Sequence, residues 1–313
     1  MLKSVYQHTV KTTFAISGIG VHSGAAAAMT IRPAPASSGI VFIRTDVKGR
    51  SNVIPARWNK VTETRLCTVL ANKAGVSVST VEHLLSAFAA LGVDNAMVEI
   101  DGPEVPIMDG SAICFVRALD KTGLTRQNAH RHALRIKKTV SCREGDKAVF
   151  LSPAEGQHFG FEIDFNNQLI GRQKYTHELL DATYRSDVAP ARTFGFLHEV
   201  EQLRKAGLAR GGSLDNAIVI DGDKILNPEG LRFKNEFVRH KILDAIGDLY
   251  LTGMQMIGHY HGVKAGHAMN NKILHALFAQ PDAFEIVELG KKPAPKDRVS
   301  VGWATPVAVT ARF

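Results

Sequence analysis

The strongest constraint on this chain is that part of it matches another part. VEHLLSAFAAL at residues 81–91 aligns with VRHKILDAIGD at 238–248, and His83 falls on His240. Further along, Gly110-Ser111-Ala112 pairs with Gly266-His267-Ala268 within one residue of register. Around both matches the predicted elements run helix, strand, loop, helix. One strand-rich, two-helix unit used twice gives an α+β fold of two similar domains. Each is expected to be a layered α/β sandwich of small sheets and two helices, the pair related by internal duplication. The competing reading is chance likeness between two amphipathic helices.

Local patterns set the expected boundaries. TTFAISG, AAMTIRPA, GIVFIR and GVSVS read as strands split by turn residues. STVEHLLSAFAALG reads as a helix, with Ser79 and Glu82 spaced as a capping box and Gly92 as its stop. A strand (NAMVEIDG), a turn (PEVPIMDG) and a second helix (SAICFVRALD) follow. KTGLTRQNAHRH, residues 121–132, is polar and non-periodic and predicts a linker. Beyond it the strand pattern restarts. The predicted division is 1–125 for the first domain and 126–285 for the second. The second carries a helix-hairpin insert at 195–227, and 286–313 form a C-terminal tail.

Composition narrows the function classes. Of 313 residues, 45% are hydrophobic and 22% charged, an ordinary globular profile. No apolar run approaches the roughly 20 residues of a membrane span, and the N-terminus lacks a signal-peptide core. The expectation is a cytoplasmic protein without stable membrane insertion. Cys67, Cys114 and Cys142 are scattered without CxxC spacing, which disfavours a disulfide frame or a thiolate metal site. The +8 formal charge is spread without a dense basic run. It disfavours nucleic acid and leaves a small phosphorylated ligand open. Phosphate-loop, HExxH and GxSxG motifs are absent, and SGIGVHSG at 17–24 is a failed dinucleotide fingerprint.

The chemistry concentrates on the second repeated helix. His240, Asp244 and Asp248 lie four apart, one above another, opposite an apolar stripe of Ile242, Ala245, Ile246 and Leu249. Such a column is either a solvated helix face or a ligand set. If the two halves pack helix to helix, His83 approaches His240. His83, His240 and Asp244 then form the three-ligand set of a zinc hydrolase, with an open position for water. Glu82 stands beside His83, either as a capping residue or as a proton acceptor. His267 follows Lys264-Ala265-Gly266 in a glycine-flanked turn. His259 and His261 alternate on a predicted strand and are rival ligands without a nearby carboxylate in sequence.

STVEHLLSAFAALGVDN, EVPIMDGSA, ARTFGF, GLRFKNEFVRHKILDAIGDLYL and KAGHAMNNK occur in this order. Together they resemble the UDP-3-O-acyl-N-acetylglucosamine deacetylase family of lipid A biosynthesis, over about residues 3 to 285. The resemblance implies Zn2+ on His83, His240 and Asp244, and Glu82 as general base. It implies His267 as general acid or cationic stabiliser, Asp248 as the partner orienting His267, and Thr193 as hydrogen-bond donor to the oxyanion. Lys241 and Lys264 would meet the diphosphate or sugar, with His22, Phe165 and Phe194 near the nucleotide sugar. The 195–227 insert would form an apolar passage for the acyl chain, with Leu208, Leu214 and Ala217 as lining. The expected partner is UDP-3-O-acyl-N-acetylglucosamine, bound by a monomer. The alternatives are a non-catalytic nucleotide-sugar binding protein and a structural domain with an exposed polar column.

Overall fold

The computed structural model describes residues 4–290. Their helices are α1 (Glu82–Leu91), α2 (Ile113–Thr122), α3 (Asp181–Asp187), α4 (Leu197–Lys205), α5 (Glu236–Leu249) and α6 (His267–Phe278). The segments that match in sequence are α1 and α5, and they pack against each other. From Glu82 to Ala89 every α1 residue is buried, and in α5 only Arg239 and Lys241 are not. Leu84, Leu85 and Phe88 on α1 join Ile242, Ala245 and Ile246 on α5 in the core. Full burial of a Leu, Ile or Phe side chain contributes about 1.5–3 kcal/mol. This helix pair is therefore a firm scaffold for whatever its polar residues hold.

Two main sheets flank the pair. The first runs Phe14–Ile19, Ala26–Pro33, Ala96–Ile100, Ile40–Arg44, Val53–Pro55. Its pairings are antiparallel except for Ile40–Arg44 beside Ala96–Ile100. Alternation is clear in Ala26–Pro33, which buries Ala27, Met29 and Ile31 and exposes Ala26, Ala28 and Arg32. The second sheet has seven strands drawn from residues 132–288, with Gln255–Val263 pairing three others. Those partners include His132–Ile136, parallel to its first residues, and Gln157–Asp164, parallel to the rest. The result is the expected α+β arrangement of small sheets and helices. We propose the division near residue 125 as the boundary between two duplicated modules. No helix among the described residues is long and apolar enough to cross a membrane.

Three local expectations change. The residues read as a linker include a strand, Leu124–His130, antiparallel to Tyr6–Val10. This two-stranded ribbon is half-exposed, so it carries no apolar alternation to read. Just beyond it, the buried Arg131 grips Asp94 with two hydrogen bonds, of 2.8 and 2.7 Å. Second, Ser79 and Glu82 form no capping box. Helix α1 begins at Glu82 without a side-chain cap, and the Ser79 hydroxyl donates to the Pro103 carbonyl. Thr80, between them, has φ +58°, a left-handed turn that leads the chain into the helix. Third, Phe284–Glu288 pairs with His132–Ile136, so ordered structure continues past residue 285. The rest of the predicted tail, 291–313, lies outside the described residues.

Candidate metal centre and active site

The column on α5 does not face solvent. His240, Asp244 and Asp248 are all buried, and His83 at the start of α1 meets the first two. One ligand atom from each of His83, His240 and Asp244 lies within 4.8 Å of the others. His83 Nε2 is 3.5 Å and His240 Nε2 is 3.3 Å from Asp244 Oδ1. The imidazoles stand nearly perpendicular, centroids 5.1 Å apart. His240 Nδ1 lies 3.0 Å from the Ala191 carbonyl, which fixes its proton there and leaves the Nε2 lone pair facing Asp244. Lys241 donates to Asp244 Oδ2 at 2.7 Å, while Asp244 Oδ1 is buried without a hydrogen-bond partner. A buried carboxylate oxygen left bare between two imidazole nitrogens is costly unless a cation joins them. The donor set fits a divalent metal.

Protonation favours the same reading. Burial pushes His240 down to about 3, against the opposing pull of Asp244. Burial alone would raise Asp244, but His240 and Lys241 hold it well below the usual carboxylate range. Near neutral pH His240 is then neutral and Asp244 anionic, the forms that bind metal.

A second group adjoins the first. His267, the first residue of α6, directs Nδ1 to Asp248 Oδ2 at 2.8 Å and Nε2 toward Glu82 Oε1 at 3.8 Å. Asn270, one turn further along α6, also donates to Asp248 Oδ2. Burial disfavours the charged imidazole, but Asp248 and Glu82 outweigh it and push His267 up to about 9. Burial likewise raises Glu82, against the attraction of His267 and His83. A buried carboxylate thus stands beside an imidazolium, two group types able to exchange protons in acid–base chemistry.

Both groups open onto a cavity of about 510 Å³. Glu82, His83, His240, Asp244, His267, Lys241, Thr193, Phe194, His22 and Phe165 line it, and Asp248 stands behind His267. Phe194 packs edge-on against Phe165 and Phe237, with the Lys241 ammonium 5.8 Å from its ring centre. Lys264 is not among the lining residues. Its ammonium is held by Asp146 and Asp164 at 3.2 and 3.0 Å. His259 and His261 are also outside the lining. Strand pairing brings Glu162 within 3.3 Å of His261, a carboxylate that sequence spacing did not reveal. The other His-x-x-x-Asp, His177 and Asp181, spans a strand end and the start of α3, so it is no helical column.

The insert folds as helix, loop and hairpin, turning at Gly222 between Ile218–Asp221 and Lys224–Ile225. Leu214 and Ala217 line the cavity and Leu208 does not. Val200, Leu203, Val219 and Leu226 complete its apolar wall. The three-residue step from Leu197 to Val200 to Leu203 was the helical signal for this face. Two further residues near the site were not singled out from the sequence, although Glu104 opens the EVPIMDGSA block. Glu104 is buried, and its carboxylate accepts from the backbone N–H of His22 and Ser23 and from the Thr80 hydroxyl. Thr68 touches both Glu82 and Asp248.

A buried triad of two imidazoles and a carboxylate, beside an acid–base pair and an apolar-walled cavity, is the layout of a metal-dependent hydrolase. The chain belongs to the LpxC family, UDP-3-O-acyl N-acetylglycosamine deacetylase, whose model matches residues 7–279. It is 54% identical to the UDP-3-O-acyl-N-acetylglucosamine deacetylase of Phenylobacterium zucineum, over 90% of this chain and 96% of that protein. Identity is 49% to the enzyme of that name from Acidithiobacillus ferrooxidans and 47% to that from Shewanella woodyi. Each match covers 93% of this chain and 96% of the relative.

Proposed function

We propose that this chain hydrolyses the acetamide of UDP-3-O-acyl-N-acetylglucosamine, giving acetate and the free 2-amino sugar, in lipid A biosynthesis. The observation that carries the reading is the convergence of His83, His240 and Asp244 next to the Glu82–His267 pair, in a cavity with an apolar wall. A nucleotide-sugar binding protein needs the cavity but neither the triad nor the pair.

His83 Nε2, His240 Nε2 and Asp244 Oδ1 would hold Zn2+, a metal that two imidazoles and one carboxylate suit. Bound there, it supplies a Lewis acid and a water acidic enough to ionise near neutral pH. Glu82 takes the proton of the attacking water. The Thr193 hydroxyl donates to the oxygen that gains charge as the carbonyl becomes tetrahedral. Asp248 holds His267 by Nδ1, so the proton for the leaving nitrogen comes from Nε2, the side that faces Glu82. The cationic His267 also stabilises the developing negative charge. Lys241, His22, Phe165 and Phe194 bind the nucleotide sugar, and the insert takes the acyl chain. The same proposal has the enzyme act as a monomer in the cytoplasm.

The test is acetate release from UDP-3-O-acyl-N-acetylglucosamine, with metal analysis of the purified chain. We expect about one zinc per chain, activity abolished by chelation and restored by zinc. Turnover that survives complete metal removal overturns the reading.

A further inference from the structure

Thr68 immediately precedes the short strand Val69–Ala71 and is 1% exposed. Its hydroxyl donates to Asp248 Oδ1 at 2.5 Å, and its backbone N–H donates to Glu82 Oε2 at 3.1 Å. The hydroxyl oxygen also lies 3.4 Å from His267 Nδ1. One residue therefore contacts both carboxylates that flank His267. The oxygens are divided between partners. Asp248 gives Oδ1 to Thr68 and Oδ2 to His267 and Asn270. Glu82 gives Oε2 to Thr68 and turns Oε1 toward His267 Nε2.

We infer that Thr68 is a positioning residue for the deacetylation: its hydroxyl fixes the plane of the Asp248 carboxylate and its N–H holds one oxygen of Glu82, on either side of the His267 ring. The inference rests on the roles proposed above for Glu82 and His267. A carboxylate bonded through one oxygen can still turn about its terminal torsion, which is soft. On Asp248 a donor on each oxygen stops that rotation, while on Glu82 the Thr68 N–H holds Oε2 and leaves Oε1 facing His267 Nε2 at 3.8 Å. Asp248 is buried, so an oxygen that loses its donor finds no water to replace it cheaply. It would swing toward another donor and release its hold on His267. Reacting groups must be held closely to retain their rate advantage, so a small misalignment here appears in turnover. Substrate binding, which uses other walls of the cavity, is left alone.

The side chain and the backbone N–H can be separated. Thr68→Val keeps the shape and the N–H and removes the hydroxyl, while Thr68→Ser keeps the hydroxyl. Both variants are compared with wild type and with Glu82→Gln in the zinc-loaded enzyme, measuring kcat, KM, zinc content and melting temperature. Thr68→Val is expected to lose about 10–100-fold in kcat, the usual range for a group that orients a functional side chain. Its KM and zinc content stay at wild-type values, and Thr68→Ser recovers most of the loss. If Thr68→Val does not fold, Thr68→Ala carries the same expectation. Wild-type kcat in Thr68→Val beside an inactive Glu82→Gln overturns this inference alone. Equal losses in the Val and Ser variants, or loss of zinc in Thr68→Val, also overturn it. Full activity in Glu82→Gln removes the base assignment and this inference with it.

Discussion

Gly247 on α5 lies directly against the backbone of Glu82: a Cβ at Gly247 would sit 2.0 Å from the Glu82 carbonyl oxygen and 3.0 Å from its Cα. Neither neighbour is a flexible side chain, so any larger residue must push α1 away from α5. Overpacking of this kind costs about 1–3 kcal/mol. It would also move His83 from His240 and Asp244. Gly247→Ala is expected to lower both the unfolding midpoint and zinc affinity, read by denaturant titration and by competition with a chromogenic chelator. Native zinc affinity in this variant would show that the approach of the helices does not set the triad.

Metal should couple to stability. A ligand held only by the folded state adds about 2.7 kcal/mol at 100 times its dissociation constant. Zinc added to the metal-free protein should raise its melting temperature, and His240→Ala should abolish most of that rise. The measurement is thermal unfolding across a zinc series. An equal rise in wild type and His240→Ala would place the stabilising metal elsewhere.

The pH profile follows from His267, whose pKa is pushed up from 6.5 to about 9, chiefly by Asp248 and Glu82 acting against burial. A raised imidazole stabilises the fold fully below its unfolded pKa of 6.5 and loses that contribution as pH rises through about 9. In its proposed role as proton donor it would also set an alkaline limb, with kcat falling as the imidazolium loses its proton. Asp248→Asn removes the leading upward influence, so its alkaline limb should shift to lower pH. Profiles of kcat against pH for the two proteins test this, and coincident alkaline limbs would count against the assignment.

Arg192 and Glu236 form a buried ion pair that braces the site. Glu236 Oε1 accepts from the Arg192 backbone N–H and from Nε, at 3.0 and 2.9 Å. The pair ties the start of α5 to residues 191–193, which supply the carbonyl on His240 and the Thr193 side chain. Removing Glu236 leaves the buried Arg192 with only the exposed Glu229 as a carboxylate partner, at a cost of up to about 3–5 kcal/mol. Glu236→Ala is therefore expected to unfold at markedly lower urea and to lose activity in proportion to the folded fraction lost. A change within experimental error would mean that Glu229 alone satisfies Arg192.

The triad was legible because the repeat was: once α1 was set on α5, His83 had to approach His240. The acid–base pair was legible only through family likeness, since nothing in the spacing joins Glu82 to a turn 185 residues away. One open alternative and one error share a cause. A polar column opposite an apolar stripe fits a solvated face as well as a ligand set, and Ser-x-x-Glu reads as a cap, when His240, Asp244, Asp248 and Glu82 are in fact buried and Ser79 bonds the Pro103 carbonyl instead. Periodicity separates apolar from polar positions but cannot tell water from a facing side chain. Thr68 and Glu104 were not singled out for a related reason, though Glu104 opens the EVPIMDGSA block. Each works through contacts made only by tertiary folding, and one threonine or glutamate in a loop leaves no periodic trace. The Leu124–His130 ribbon was missed because a half-exposed strand buries too little to alternate.

Lys241 keeps one oxygen of Asp244 occupied, and this limits how the aspartate can serve a cation. With Oδ2 engaged by an ammonium, Asp244 would offer a cation Oδ1 alone. Two imidazole nitrogens and one carboxylate oxygen would then be what the protein itself contributes, and the rest of the binding would fall to solvent or substrate. An ordinary-looking lysine on the cavity wall would in this way limit the protein's own share of the site.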